Sequence, residues 1–296
     1  MNRLDLTAAR PVGDFFARSR GARWMGHGMR AAQRLSPALA LRLALPVFFT
    51  PLPSKLAARS RRLPPGWRLE RLPFEQGMLA LWRHASAGQG RARVLLAHGW
   101  GGDAQQMLPL ADALAEQGLE PVLVDFPAHG RSDGWRSSLP QFVRALFAVQ
   151  ARLGPWQAVV AHSLGGLAAA HAAGRGLTTQ RLVLIAPPLP PARVVQGFAE
   201  VFGLHADTAC RMAATIERRE GVPLAHFEAA WLAEHVQQPT LVVHDGDDRT
   251  APAAWGQTLA KALPQGQWFG TEGLGHRRLL AEHRVAQQVA RFVTGS

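Results

Sequence analysis

Ser163 stands in the run Ala161-His162-Ser163-Leu164-Gly165-Gly166, between an apolar strand-like stretch (Gln157 to His162) and an Ala-rich helical one (Leu164 to Ala173). A hydroxyl on a sharp strand-to-helix turn is offered to an incoming carbonyl, and the small residues Ala161, Gly165 and Gly166 leave room for such a turn. A helix that begins just after the serine points free backbone N–H groups at negative charge developing on the attacked oxygen. The hydroxyl itself is a poor nucleophile at neutral pH, so the chemistry needs a base to take its proton and an acid to orient that base. Both types occur downstream. Carboxylates crowd His244-Asp245-Gly246-Asp247-Asp248-Arg249-Thr250-Ala251-Pro252, and an imidazole follows in Gly273-Leu274-Gly275-His276. The chain has 12 His, so type alone selects none. His276 stands out by its Gly-flanked loop after the last strand and by its place beyond the acids.

A second loop, His98-Gly99-Trp100-Gly101-Gly102, ends the apolar run Arg93 to His98. Glycines let a backbone come close to a substrate. The N–H of Trp100 is the natural partner for that of Leu164 in holding an oxyanion, while His98 is expected to be a structural hydrogen-bonding residue. Taken singly, each run also fits an ordinary Gly-rich turn; it is the set that carries weight.

Elements that could position these residues are legible around them. Met78 to Trp82, Arg93 to His98, Glu120 to Asp125, Gln157 to His162, Arg181 to Ala186, Thr240 to His244 and Gln265 to Phe269 read as strands. Ala104 to Gln117, Leu139 to Leu153 and Leu164 to Ala173 read as helices between them. Apolar strands alternating with helices predict an α/β fold with a mostly parallel sheet covered on both faces. Between Ala186 and Thr240 no good strand is found, and three helical stretches fill the gap. An insertion there lies over the strand ends where ligands bind. The expected organisation is a basic, partly helical extension over 1–65, a main domain over 66–296, and within it a helical cap over about 188–238.

With these residues in view, the chain resembles the α/β-hydrolase superfamily over roughly residues 75 to 296. Besides the runs above, Asp125-Phe126-Pro127-Ala128-His129-Gly130-Arg131-Ser132 resembles the family's D-x-P-G-x-G-x-S turn. The acid loop resembles its G-x-x-D-x-x-V-P pattern, which places the catalytic acid at Asp248, with Asp247 as second choice and Asp245 as third. The order Ser, Asp, His is the one this fold uses. Three departures stand out: Ala161 and Ala128 replace glycines, and Asp245 stands where glycine is usual. The resemblance implies a carboxylesterase-like serine hydrolase that cleaves carboxylic esters through an acyl-enzyme, with Ser163, His276 and Asp248 as triad. Trp100 and Leu164 would form the oxyanion hole. A thioesterase, an amidase or a cofactor-free perhydrolase would use the same triad. Dehalogenase and epoxide-hydrolase relatives use an Asp nucleophile where this chain has Ser163, and the chain has no Tyr. The proline-iminopeptidase HGGP loop is absent. So are HExxH, GxxxxGK[ST] and GxGxxG, and no metal or cofactor is expected.

The net charge of +12 is unevenly placed: 14 of the 33 basic and 3 of the 21 acidic residues lie in the first 72 positions. The rest of the chain is nearly neutral and contains no recognised nucleic-acid module, so nucleic-acid binding is not expected. The extension is expected to pack on the main domain, with membrane-surface contact through residues 1–65 as the alternative. The single cysteine, Cys210, permits no intrachain disulfide and is expected to be a buried small apolar residue. No secretory signal or spanning segment is recognised, and a cytoplasmic location is the expectation. The expected partner is a small-molecule ester, for which Trp135, Phe227 and Trp231 are candidate pocket aromatics. The competing class is a non-catalytic binding protein on the same fold, whose mark would be a broken triad.

Overall fold

Short apolar runs build the centre of one eight-stranded sheet. The computed structural model describes residues 20–51, 54–84, 88 and 90–295. Three helices come first: α1 (Arg20–Leu35), α2 (Pro37–Phe48) and α3 (Ser54–Ser60). Then follow β1 (Trp67–Phe74), β2 (Gly77–His84), β3 (Arg93–Ala97), α4 (Leu108–Glu116), β4 (Glu120–Asp125), α5 (Leu139–Leu153), β5 (Trp156–His162), α6 (Leu164–Gly174) and β6 (Thr179–Ile185). The insertion holds α7 (Pro191–Phe202), α8 (Ala206–Glu220) and α9 (Ala229–His235). The chain closes with β7 (Thr240–Asp245), α10 (Ala253–Ala262), β8 (Gly266–Thr271), α11 (Gly275–Arg278) and α12 (His283–Thr294).

The strand order is β1-β2-β4-β3-β5-β6-β7-β8. β1 with β2, and β2 with β4, are antiparallel; every pair from β4 to β8 is parallel. Side chains alternate across the sheet with period two. Leu95, Ala97, Val159 and Ala161 join one core with α5 and α6, whereas Val94, Leu96, Ala158 and Val160 join the other with α4 and α12. Strands covered on both faces are apolar throughout, which is why β4 and β7 are buried along their whole length. β1 has no counterpart among the sequence-predicted strands. Its sequence, WRLERLPF, alternates charged and apolar residues on an exposed sheet edge.

After β3 the chain pairs β4 on one side and then returns to pair β5 on the other. That reversal opens a crevice beyond the strand ends, and the loops after β3 and β5 both face it.

The extension and the insertion share a third apolar core. Met29, Ala32, Ala40, Ala44 and Phe49 pack with Phe198, Phe202, Met212 and Ile216 of the cap helices. Gln33, buried between them, accepts the Thr208 hydroxyl at 2.7 Å. The described part of the extension therefore packs on the cap, forming one helical layer with it.

Candidate active site

Ser163 sits between the end of β5 and the start of α6, with φ 53° and ψ −125°. A non-glycine residue there is strained by about 1–3 kcal/mol, a cost that the surrounding packing must hold. The Ser163 N–H donates to Ile185 O at 2.8 Å, and Ser163 O accepts from the Gly166 N–H at 2.8 Å. The neighbouring glycines are steric requirements. A Cβ on Gly99 would lie 2.7 Å from the Ser163 Cβ, and one on Gly165 would collide with the His98 carbonyl.

The Ser163 Oγ lies 3.0 Å from His276 Nε2, and His276 Nδ1 lies 2.7 Å from Asp248 Oδ2. A carboxylate only accepts, so Nδ1 carries the proton and Nε2 turns its lone pair to the hydroxyl. Asp248 is buried, which by itself would raise its pKa. Hydrogen bonds from His244 and His276 and from the Ala251 N–H outweigh that and hold the carboxyl well below the usual carboxylate range. The structure thus brings together three side chains drawn from the ends of β5, β7 and β8.

Asp247 and Asp245 sit beside this relay in other roles. Asp247 is exposed and accepts the Gly273 N–H at 2.8 Å. Asp245 is buried and accepts four donors: the N–H groups of Asp247, Leu274 and Gly275 and the Thr271 hydroxyl, at 2.7–3.1 Å. Burial would raise its pKa, but these donors lower it.

Two further histidines touch the relay, and sequence reasoning did not single them out. His244 Nε2 reaches Asp248 Oδ2 at 3.2 Å and Ala251 O at 3.0 Å. His162 Nε2 donates to the His276 carbonyl at 2.9 Å, and burial keeps its imidazole neutral. The only sequence signal was adjacency, His162 to Ser163 and His244 to the acid run. His98 donates from Nδ1 to Gly99 O at 2.7 Å and accepts the Phe126 N–H on Nε2 at 3.1 Å, which braces the Gly99-Trp100 loop.

Ser163 opens onto a cavity, open to solvent at its mouth, with Trp100 and Leu164 in its wall. Leu164 is the first residue of α6, so its N–H has no acceptor within the helix. Phe227 lines the cavity; Trp135 and Trp231 do not. Trp135 is 65% exposed under the Lys55 ammonium. Trp231 is stacked on His235 at 4.0 Å and on His171 and His226 at 4.9 Å, away from the cavity. The aromatics that sequence reasoning missed are Phe48 and Phe49, which reach the cavity from the extension. Cys210 is exposed on α8, where a buried residue was expected, because its stripe of that helix faces solvent. Among the described residues no cluster of three or more His, Cys, Asp or Glu is placed to hold a metal ion. Likewise, no described helix is long and apolar enough to cross a membrane.

Residues 88–217 match the model of a family described as serine aminopeptidase, S33. A putative lipase from Acinetobacter baumannii AYE superposes with a TM-score of 0.58 at 18% identity, over 78% of this chain and 92% of the lipase. The chain has the α/β-hydrolase fold. A membrane phospholipase A, described as a bacterial virulence factor, shares that fold with a TM-score of 0.59 at 18% identity, over 88% of this chain and 92% of its own. So does an esterase from Pyrococcus furiosus, with a TM-score of 0.58 at 16% identity, over 77% and 92%. Among curated proteins nothing matches. Identities this low speak to the α/β-hydrolase fold and leave the reaction to be argued from the site.

Proposed function

We propose that the protein is a serine hydrolase that cleaves carboxylic esters bearing an apolar acyl group, through an acyl-enzyme. The observation that carries this reading is the Ser163–His276–Asp248 relay at 3.0 and 2.7 Å, opening onto an apolar cavity. The Ser163 oxygen attacks the ester carbonyl while His276 Nε2 takes its proton. Asp248, kept ionised by its donors, stabilises the imidazolium that forms. The N–H groups of Trp100 and Leu164 hold the oxyanion. His276 then gives its proton to the departing alcohol, and afterwards activates the water that releases the acid.

The cavity wall argues against the aminopeptidase reading that the family description invites. An aminopeptidase must hold a substrate ammonium, which calls for a carboxylate. Among the described residues the cavity wall has no Asp, Glu, Lys or Arg; its polar side chains are hydroxyls. A neutral, apolar acyl group fits such a wall.

Purified protein is expected to be labelled by a fluorophosphonate and to turn over p-nitrophenyl butyrate and octanoate. Ser163→Ala should lose labelling and at least about a thousandfold in kcat. A folded wild type that neither labels nor turns over any ester in a chain-length panel overturns the proposal.

A further inference from the structure

We propose that the outer face of α1 and α2 is a docking surface for an anionic phospholipid bilayer. Seven large apolar side chains are exposed among the described residues. Five of them, Trp24, Met25, Leu35, Leu39 and Leu43, lie on α1 and α2. They form stripes. Trp24, Gly28, Ala31 and Leu35 follow one line along α1 and are all exposed, and Leu39 and Leu43 are one turn apart on α2 with exposed Arg42 beside them. The neighbouring stripes, with Met29, Ala32, Ala40 and Ala44, are already buried against the cap. The apolar side of each helix is therefore wider than the strip that the cap covers.

The charge on this segment names the occupant. From residue 15 to residue 69 there are 11 Lys or Arg and no acidic residue, whereas residues 73–296 hold 19 basic and 18 acidic ones. Arg34 and Arg42 are exposed and form no ion pair within the described residues. An anionic bilayer satisfies both features at once: Trp and Leu enter the headgroup boundary, while guanidinium groups stay with the phosphates. A second copy of this chain would bring its own positive charge to the same face, and a nucleic acid offers nothing to the leucines.

The face also lies close to the cavity along α2. Leu43 lies five residues, about 8 Å of helix, from Phe48, which with Phe49 forms part of the cavity wall. Resting on the hydrolase reading of Ser163, this placement makes an ester lipid held in the bilayer the class of substrate served.

The test is co-sedimentation of full-length Ser163→Ala protein with vesicles, so that binding is read without turnover. One set is phosphatidylcholine alone and the other contains about one third phosphatidylglycerol. Binding is expected to the anionic vesicles, to weaken in high salt, and to be much weaker to the neutral ones. Arg34→Gln with Arg42→Gln should weaken it about 25-fold, at roughly fivefold per guanidinium. Leu39→Ser with Leu43→Ser should weaken it at least tenfold. In the Ser163 background the same variants should hydrolyse a soluble ester as the parent does, which separates lost docking from lost folding. Absence of binding to anionic vesicles, equal binding to neutral ones, or parental binding by both double variants overturns the proposal. So does a dimer in sedimentation velocity that buries this face without vesicle binding. Failure of ester turnover with intact vesicle binding would count against the hydrolase reading alone.

Discussion

Asp245 Oδ1 accepts the Gly275 N–H at 2.7 Å, one residue before His276. With the Leu274 N–H and the Thr271 hydroxyl on its other oxygen, this side chain fixes the loop that presents the imidazole. The carboxylate replaces the glycine usual at this place in the resemblance, so the loop depends on a charged acceptor with four donors. Asp245→Ala leaves buried N–H groups without an acceptor. It is expected to cost about 2–4 kcal/mol of stability and to lower kcat about 10–100-fold through misplacement of His276. KM should change little, because Asp245 is not part of the cavity wall. Urea denaturation and steady-state kinetics check both effects, and Asp245→Asn, which keeps one acceptor, should fall between.

The three candidate acids separate in one experiment. Asp248→Asn cannot accept the His276 Nδ1–H as a carboxylate does, and kcat is expected to fall about 10³–10⁴-fold. Asp247 is exposed and its carboxylate accepts the Gly273 N–H, away from the imidazole, so Asp247→Asn should stay within about threefold of the parent. Because its donors depress Asp248, its stabilising charge is complete above the unfolded carboxylate value and is lost only as pH falls through the lower folded one. The dependence of kcat/KM on pH should be the same in Asp247→Asn as in the parent.

His171 is expected to make the fold acid-sensitive. Its imidazole stacks on Phe227 and on Trp231, and both ring nitrogens lack a partner among the described residues. Burial, followed by the charges of His226 and Arg175, lowers its pKa to about 4. Between the ordinary imidazole value of 6.5 and about 4, the unfolded chain binds the proton that the folded one refuses. Stability then falls with pH, by at most about 1.4 kcal/mol per unit. His171→Phe should flatten the dependence of Tm on pH over that range. A variant whose Tm falls between about pH 7 and 5 as steeply as the parent's would show that another group is responsible.

How much of this was legible in the sequence depended on how local the cause was. The strands β3 to β7 declare themselves because a doubly covered strand must be apolar along its length and must end at a glycine or polar residue. The serine turn declares itself because its strain requires small neighbours at fixed offsets. β1 was missed because an edge strand needs only half its residues buried, and its charges resemble a loop. The joint helical layer was missed for a different reason. Ala40 and Ala44 of α2 pack against cap residues far along the chain, and small apolar residues at helical spacing do not name their partner. Trp135 and Trp231 show the limit of residue type. An indole is as well satisfied by a cation or by stacked imidazoles as by a substrate. Asp245 was visible as an anomaly, yet its role depends on where β8 brings the loop 26–30 residues downstream.

Phe48 offers a measure of how far the extension sets selectivity. It reaches the cavity from α2 and meets Phe198 of the cap edge-on at 5.3 Å. Phe48→Ala removes an aromatic wall from the acyl site, giving longer chains new room and short chains fewer contacts. Each methylene that finds apolar contact contributes about 0.8 kcal/mol, so two or three newly accommodated ones correspond to roughly ten- to fiftyfold. The ratio of kcat/KM for p-nitrophenyl dodecanoate over butyrate is expected to rise by about that factor. Fluorophosphonate labelling should persist, since the relay is untouched. The packing loss at Phe198 should lower stability by about 3 kcal/mol, so the ratio is to be measured well below the variant's Tm. An unchanged ratio in a folded, labelled variant would place the acyl chain elsewhere in the cavity, near Phe227.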